Sequence, residues 1–344
     1  MVAGTEGADM NDTNAGDTNV DHYAPRDYLV RHVTRYDSEL PREAAYERGR
    51  LLPREAPSQR ILSAVTRVDP EPDVVAVHAD LYGNPSSYLE IRTEHTRLHI
   101  EKEFRVHVAW PRPDVEALDR WTVDEAAAWN AAHGDPAETT EFLLPSPLVA
   151  LHTDVRAYAA RHLPGDRPLG AALLGLVHGI YTDFTYRNGV TTVRTTLPEL
   201  LELRAGVCQD FAHLAIGCLR AAGLPARYVS GYIETQPPPG KPKLQGSDAS
   251  HAWASVRTPL GTWVDLDPTN DHFADSRYVV TAWGREFGDV SPLRGIVYGE
   301  DSPSTLTVGV DVIRLDGDGN PIELPVPRPE PEPGDAPLDV RGGS

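Results

Sequence analysis

The stretch Arg204-Ala-Gly-Val-Cys208-Gln-Asp-Phe-Ala-His213-Leu-Ala-Ile-Gly-Cys218-Leu-Arg-Ala-Ala222 places a cysteine where a helix begins, two residues after a glycine that permits a tight approach turn. Phe211, Leu214, Ala215, Cys218 and Ala222 recur at helical spacing and define a buried stripe. Gly223 and Pro225 supply the stop signal. Cys218 falls inside the stripe, whereas Cys208 sits at the helix start. There the unpaired amides and the positive end of the helix dipole stabilise a thiolate. The same amides suit an oxyanion forming on an attacked carbonyl.

A thiol nucleophile needs a base and an orienting group. Ser250-His-Ala-Trp-Ala-Ser-Val-Arg257 alternates as a strand, turns near Pro259 and returns as Thr262-Trp-Val-Asp-Leu-Asp267. A hairpin centred on residue 259 sets His251 opposite Asp267, with Cβ atoms roughly 5 Å apart. Cys208, His251 and Asp267 are therefore the candidate catalytic triad. Asp265 shares the face but pairs nearer Trp253, so it ranks second. Taken singly, each residue has an ordinary reading: core cysteine, structural histidine, turn-forming aspartate. Their order and local geometry favour the chemical one.

Other chemistries find less support. Cys208, His213 and Cys218 are spaced like zinc ligands, but five helical positions rotate about 140°, so they do not converge on one metal. Asp316-Gly-Asp-Gly-Asn320 is followed by Pro321 where a calcium loop needs glycine, and reads as a turn. No phosphate loop or dinucleotide fingerprint occurs. Neither a cofactor nor a metal is expected.

Upstream, the runs Tyr28-Leu-Val-Arg-His-Val-Thr-Arg-Tyr36 and Phe104-Arg-Val-His-Val-Ala-Trp110 alternate as half-buried strands, and Gly83-Asn84-Pro85 marks a turn. Residues 26–110 read as an antiparallel β domain, of sandwich type. Thr122-Val-Asp-Glu125 has capping-box spacing and opens a helical connection over 111–165, with helices predicted at 147–162 and 168–182. Residues 166–313, a helical part followed by strands near 226–234, 250–258 and 262–268, read as an α+β core. Residues 1–25 are expected to be disordered, and 314–344 to form a turn and a proline-rich tail.

With 32 basic against 51 acidic residues, the chain carries a formal charge of −19. That repels phosphate backbones and anionic membranes, so no nucleic-acid or membrane partner is expected. The two cysteines lie roughly 15 Å apart along their predicted helix and cannot bridge one another. With no signal-peptide pattern at Met1 to Asn19 and no long apolar run, the cytoplasm is the expected compartment.

At this point the residues resemble the transglutaminase-like superfamily, specifically its bacterial two-domain members with a β-rich N-terminal region. The resemblance runs through Asp183-Phe-Thr-Tyr186, Gly206-Val-Cys-Gln-Asp-Phe-Ala-His213, Gly223-Leu-Pro-Ala-Arg-Tyr-Val-Ser-Gly-Tyr232, Ser250-His-Ala-Trp253 and Trp263-Val-Asp-Leu-Asp-Pro-Thr-Asn270. Upstream it includes Tyr28 to Tyr36, Leu52-Pro-Arg54, Gln59, Asp80-Leu-Tyr-Gly-Asn84 and His95. It implies a papain-like fold and acyl transfer on a carboxamide or peptide carbonyl of a peptide or protein substrate. Cys208 would be nucleophile, His251 general base and acid, and Asp267 the orienting residue. Trp253 is a candidate to shield the triad or line the acyl site, with plain packing as the alternative, and Tyr186 to approach the cleft. Asp210 reads as a capping or hydrogen-bonding residue, and Arg227 and Tyr232 as core support. The loop 235–249 is either a substrate-selecting lid or a connection. A peptidase or amidase of the same fold, and a non-catalytic scaffold, are the competing functions.

Overall fold

The computed structural model describes residues 20–50, 52–235, 250–300 and 302–322. The expectations for residues 1–19, for the 236–249 part of the loop and for the proline-rich tail beyond 322 lie outside the described residues.

One strand organises the N-terminal β region. Arg26–Gly49 runs for 24 residues, its first half alternating buried and half-buried as Tyr28, Val30, His32 and Thr34 turn inward. Along that half it lies between His95–Val108 and Ser304–Leu315; along the second half it lies between Pro85–Ile91 and Leu293–Gly299. The exchange occurs around Leu40-Pro41, where the ladder registers break between Asp37 and Ala44. Proline has no N–H to donate, so it fits a point where pairing is interrupted. Gln59–Asp69 and Val74–Ala79 close the two flanks, making one curled antiparallel sheet of seven strands.

Two of those strands come from the far end of the chain. Leu293–Gly299 and Ser304–Leu315 were expected in the core of 166–313, yet both pair with the N-terminal strand. Alternation marks a segment as a strand but carries no information about which distant sheet it joins. Residues 22–24, expected to be disordered, are instead half-buried and bonded to the core: the His22 carbonyl accepts from Ser276 N–H at 3.0 Å and the Tyr23 carbonyl from Ser276 Oγ at 3.2 Å.

The core is a five-stranded antiparallel sheet in the spatial order His272–Phe273, Trp263–Asp267, Ser250–Arg257, Ala226–Ile233, Tyr278–Gly284. The helix Cys208–Ala221 packs on it, and the helices Thr153–His162, Leu169–Asp183 and Leu197–Leu203 surround that helix. Each residue from Asp210 to Arg220 is buried, so the helix is central and not merely apolar along one stripe. Its polar members are satisfied: Arg220 donates to the carbonyls of Ala226, Leu144 and Arg285, and His213 Nε2 accepts from Phe287 N–H at 3.1 Å. The predicted helix at 147–162 begins only at Thr153, because Ser146 and Val149 form an isolated bridge instead. The Thr122 and Glu125 side chains cap each other's backbone, as their spacing predicts.

Sheet packs on sheet between the two parts. Tyr28, Val30, Phe104, Val106 and Val108 from the curled sheet meet Tyr232 and Val279 from the core sheet in one buried cluster. Among the described residues no helix is long and apolar enough to cross a membrane.

Candidate active site

Cys208 is the first residue of its helix and remains partly exposed, whereas Cys218 in the same helix is fully buried. The approach is shaped by Gly206, where a Cβ would lie 2.8 Å from Asp210 Oδ2 and 2.9 Å from Leu200 Cδ1. Asp210 Oδ2 accepts from Val207 N–H at 2.9 Å and from the Thr191 hydroxyl at 2.7 Å. The carboxylate thus caps the helix start that presents the thiol. Ala205–Gly206 also pairs in parallel with Thr185–Tyr186, which brings Tyr186 into the neighbourhood of the cysteine. Burial, and then the charges of Cys208, Asp267 and Asp210, push the Tyr186 hydroxyl's pKa up, so it stays protonated.

His251, the second residue of the strand Ser250–Arg257, lies opposite Gly231 and is almost wholly buried. Its Nε2 donates to Asp267 Oδ2 at 2.6 Å, leaving Nδ1, which is buried and has no nitrogen or oxygen partner, for the thiol. Burial alone would lower the imidazole's pKa. The Asp267 carboxylate, through charge and hydrogen bond, and then Cys208 outweigh it and raise it to about 10. For Asp267 burial would raise the carboxyl, but the charge and hydrogen bond of His251 hold it well below the usual range. The three candidate catalytic residues are therefore brought together.

The pairing differs from the expected one. Leu266 lies opposite Ala254 and Asp265 opposite Ser255, so the hairpin is shifted by two residues and Asp267 does not face His251 directly. The tip Thr258–Thr262 closes one position later than a centre at residue 259 implies. Contact is made on the diagonal, which side chains of this length span. Asp265 is engaged elsewhere, accepting from Trp253 Nε1 at 2.8 Å and from the Ser255 hydroxyl.

For Trp253 the structure favours the packing alternative. It has no exposed surface and packs on Tyr278, Val229 and Val280. With its indole N–H on Asp265 it is core support beneath His251, not a lining of an acyl cleft. Arg227 stands 4.2 Å from the Trp263 ring centre and 3.8 Å from that of Trp283, and the Tyr232 hydroxyl lies 2.7 Å from His32 Nδ1. Both are buried supports.

Two residues of the site had no role assigned from the sequence. Asn270 Nδ2 donates to Asp267 Oδ2 at 2.7 Å and the Tyr278 hydroxyl donates to the same oxygen at 2.5 Å. Thr269 N–H bonds the other oxygen, Oδ1, at 2.8 Å. The Asp-Pro-Thr-Asn run carries a local signal for part of this, since an aspartate commonly accepts from the backbone two residues on. Nothing local points to Tyr278, which arrives from another strand.

A groove of about 700 Å³ lined by Trp121, Trp129 and His133 of the helical connection and Leu260 of the hairpin tip contains no residue of the triad. Among the described residues no group of three or more histidine, cysteine or acidic side chains is arranged to hold a metal.

The description of the transglutaminase-like superfamily core matches residues 157–268, and that of the bacterial transglutaminase-like N-terminal region matches residues 28–107. An uncharacterized protein of Mycobacterium tuberculosis is 45% identical over 299 residues, covering 85% of this chain and 94% of the relative. A protein-glutamine gamma-glutamyltransferase of Pseudomonas aeruginosa is 28% identical over 166 residues, 47% of this chain and 22% of that protein. Among solved structures, a candidate cysteine protease from Cytophaga hutchinsonii superposes with a TM-score of 0.70 at 22% identity, covering 87% of this chain and 94% of the other, a likeness of fold. The two family matches and the near full-length relative agree with the cysteine-bearing helix and the sheet behind it: the chain belongs to the transglutaminase-like superfamily.

Proposed function

We propose that this protein is a cysteine-dependent acyl transferase acting on carboxamide or peptide carbonyls of a peptide or protein substrate. The observation that carries the reading is the Nε2-to-Oδ2 bond of His251 and Asp267, which leaves Nδ1 for the thiol at the head of a helix. His251 takes the Cys208 proton, and the thiolate attacks the substrate carbonyl carbon. The oxyanion that forms faces the helix N-terminus, where backbone N–H groups lack intrahelical partners. As the C–N bond breaks, the imidazolium returns its proton to the departing nitrogen and a thioester remains on Cys208. His251 then deprotonates an incoming amine or water, which attacks the thioester and releases the thiol. Asp267 keeps the imidazole in the tautomer and orientation both halves require.

An amine acceptor makes the enzyme a transamidase, and water makes it a peptidase or amidase. The two follow from the same thioester, and the fate of the acyl group separates them. Incubation with glutaminyl peptides and a labelled primary amine, followed by intact-mass spectrometry, should show a Cys208-dependent product. Mass gain by amine incorporation supports transamidation; free carboxylate or new termini support hydrolysis. Full product formation by Cys208→Ala would sink both, and a wild type that forms no more product than Cys208→Ala would favour a non-catalytic scaffold.

A further inference from the structure

The strand Tyr278–Gly284 is the outer strand of the core sheet and pairs on one side only, with Ala226–Ile233. An edge strand leaves alternate backbone N–H and C=O groups without ladder partners. Here side chains of the N-terminal β region and the segment that follows it supply them. Gln59 Nε2 donates to the Val280 carbonyl at 2.7 Å, and the Val280 N–H donates to Gln59 Oε1 at 2.8 Å. Asn84 repeats the pattern at Trp283, donating to its carbonyl at 2.8 Å and accepting from its N–H at 3.0 Å. Trp110 Nε1 donates to the Tyr278 carbonyl at 2.9 Å. A bulge between Val280 and Ala282 moves the outward groups from even to odd positions, which is why 278, 280 and 283 are the residues met. A side-chain carboxamide carries one acceptor and donors in the plane of a peptide group, so glutamine and asparagine mimic a neighbouring strand.

The turn before this strand is held from the same side. Tyr28 Oη stands 2.7 Å from Glu234 Oε2 and 3.1 Å from the Ser276 carbonyl, and Arg26 Nη1 bonds the same Glu234 oxygen at 2.6 Å. Gln59, Asn84 and Tyr28 are all buried, so these contacts face no competing water.

We propose that the N-terminal β region is a positioning device for the acyl-transfer site: Gln59, Asn84 and Trp110 complete the edge of the core sheet and so hold Tyr278 where its hydroxyl anchors Asp267. The proposal rests on the triad reading above. The path runs from Gln59 through the Val280 backbone to Tyr278, from its hydroxyl to Asp267 Oδ2, and from that oxygen to His251 Nε2. Gln59 and Tyr278 are positioning residues: Gln59 acts on the reacting groups only through Tyr278, which holds Asp267 by its hydroxyl and sets its ring 5.9 Å from that of His251.

The test uses full-length Tyr278→Phe, Trp110→Phe, Gln59→Leu and the Gln59→Leu/Tyr278→Phe double variant, with His251→Ala as reference. Each is alkylated with iodoacetamide from pH 5 to 9 and the label on Cys208 is followed by mass spectrometry. The expected result is a rate at pH 7 lowered about tenfold in Tyr278→Phe and Gln59→Leu, and about threefold in Trp110→Phe, with midpoints moving toward the ordinary thiol value of about 8.5. The double variant should be no slower than the slower single one, as for residues on one path. Trp110→Phe keeps an aromatic side chain while removing the indole N–H and serves if Gln59→Leu fails to fold. Wild-type profiles in folded Tyr278→Phe and Trp110→Phe, beside a slow His251→Ala, overturn the positioning role and leave the triad standing. Losses that multiply in the double variant overturn the shared path. A wild-type Cys208 that reacts as an ordinary thiol and ignores His251 overturns the triad and this proposal with it.

Discussion

The Asp267 carboxylate and the His251 imidazole meet at 2.6 Å with neither side chain exposed to solvent. A buried pair of this kind depends on both charges, because one partner alone is left desolvated and uncompensated. Asp267→Asn removes the charge and keeps the shape. Turnover is expected to fall by about four orders of magnitude, as when the orienting acid of a comparable triad loses its charge. Steady-state kinetics on whichever acyl substrate the wild type accepts would check it, and a loss below about fivefold would count against the orienting role.

The same pair makes stability depend on pH. Asp267 is depressed from 3.8, so its contribution is present above that value and is lost as pH falls through the lower folded value. His251 is raised from 6.5 to about 10, so its contribution is complete below 6.5 and is lost as pH rises through about 10. The melting temperature of the wild type minus that of Asp267→Asn should therefore be greatest between about pH 4 and 6.5 and shrink toward pH 10. A difference that grows over that alkaline range would contradict the assignment.

The two cysteines should separate cleanly under native alkylation. Cys208 is partly exposed, whereas Cys218 has no exposed surface and burial pushes its thiol pKa up. Peptide mapping should find label on Cys208 alone until denaturant is added. Cys218→Ala should retain activity and lose about 1 kcal/mol or more of stability, the cost of a small core void.

Gly206→Ala tests the geometry of the helix start. A Cβ there collides with the Asp210 carboxylate that caps the helix and with Leu200. Overpacking of this sort costs roughly 1–3 kcal/mol. Because the displaced group is the cap beneath the thiol, alkylation of Cys208 should slow as well, which a denaturation curve and a labelling time course would report together.

Trp253→Phe distinguishes support from substrate contact. Loss of the indole N–H leaves Asp265 with one donor fewer in a buried site, costing about 1–3 kcal/mol. KM should stay within about twofold of wild type, since the ring has no surface to offer a substrate. A KM raised tenfold with unchanged stability would restore the lining role.

Much of this arrangement was legible in the chain. Glycine before Cys208, the capping box at Thr122 and the stop at Gly223 act within a few residues, and local backbone preference is strong enough to be read. The hairpin register was not, since it depends on where the turn between Thr258 and Thr262 closes, and a shift of two preserves the alternation of faces. Trp253 stayed open between packing and lining for a related reason. Proximity to His251 along a strand does not say whether a residue meets solvent or the layer packed against it.

The sequence by itself determined the order of the elements and where each candidate residue falls in them: a cysteine at a helix start, a histidine near the start of one strand, an aspartate at the end of the next. These follow from spacing, caps and turn residues, all short-range. Only the tertiary structure decided that Asn270 and Tyr278 converge on Asp267, that Gln59 and Asn84 finish the edge of the core sheet, and that Leu293–Gly299 and Ser304–Leu315 return to the first strand. Those partners lie far apart along the chain, and the hydrogen bonds and buried area that select them exist only once the layers have packed.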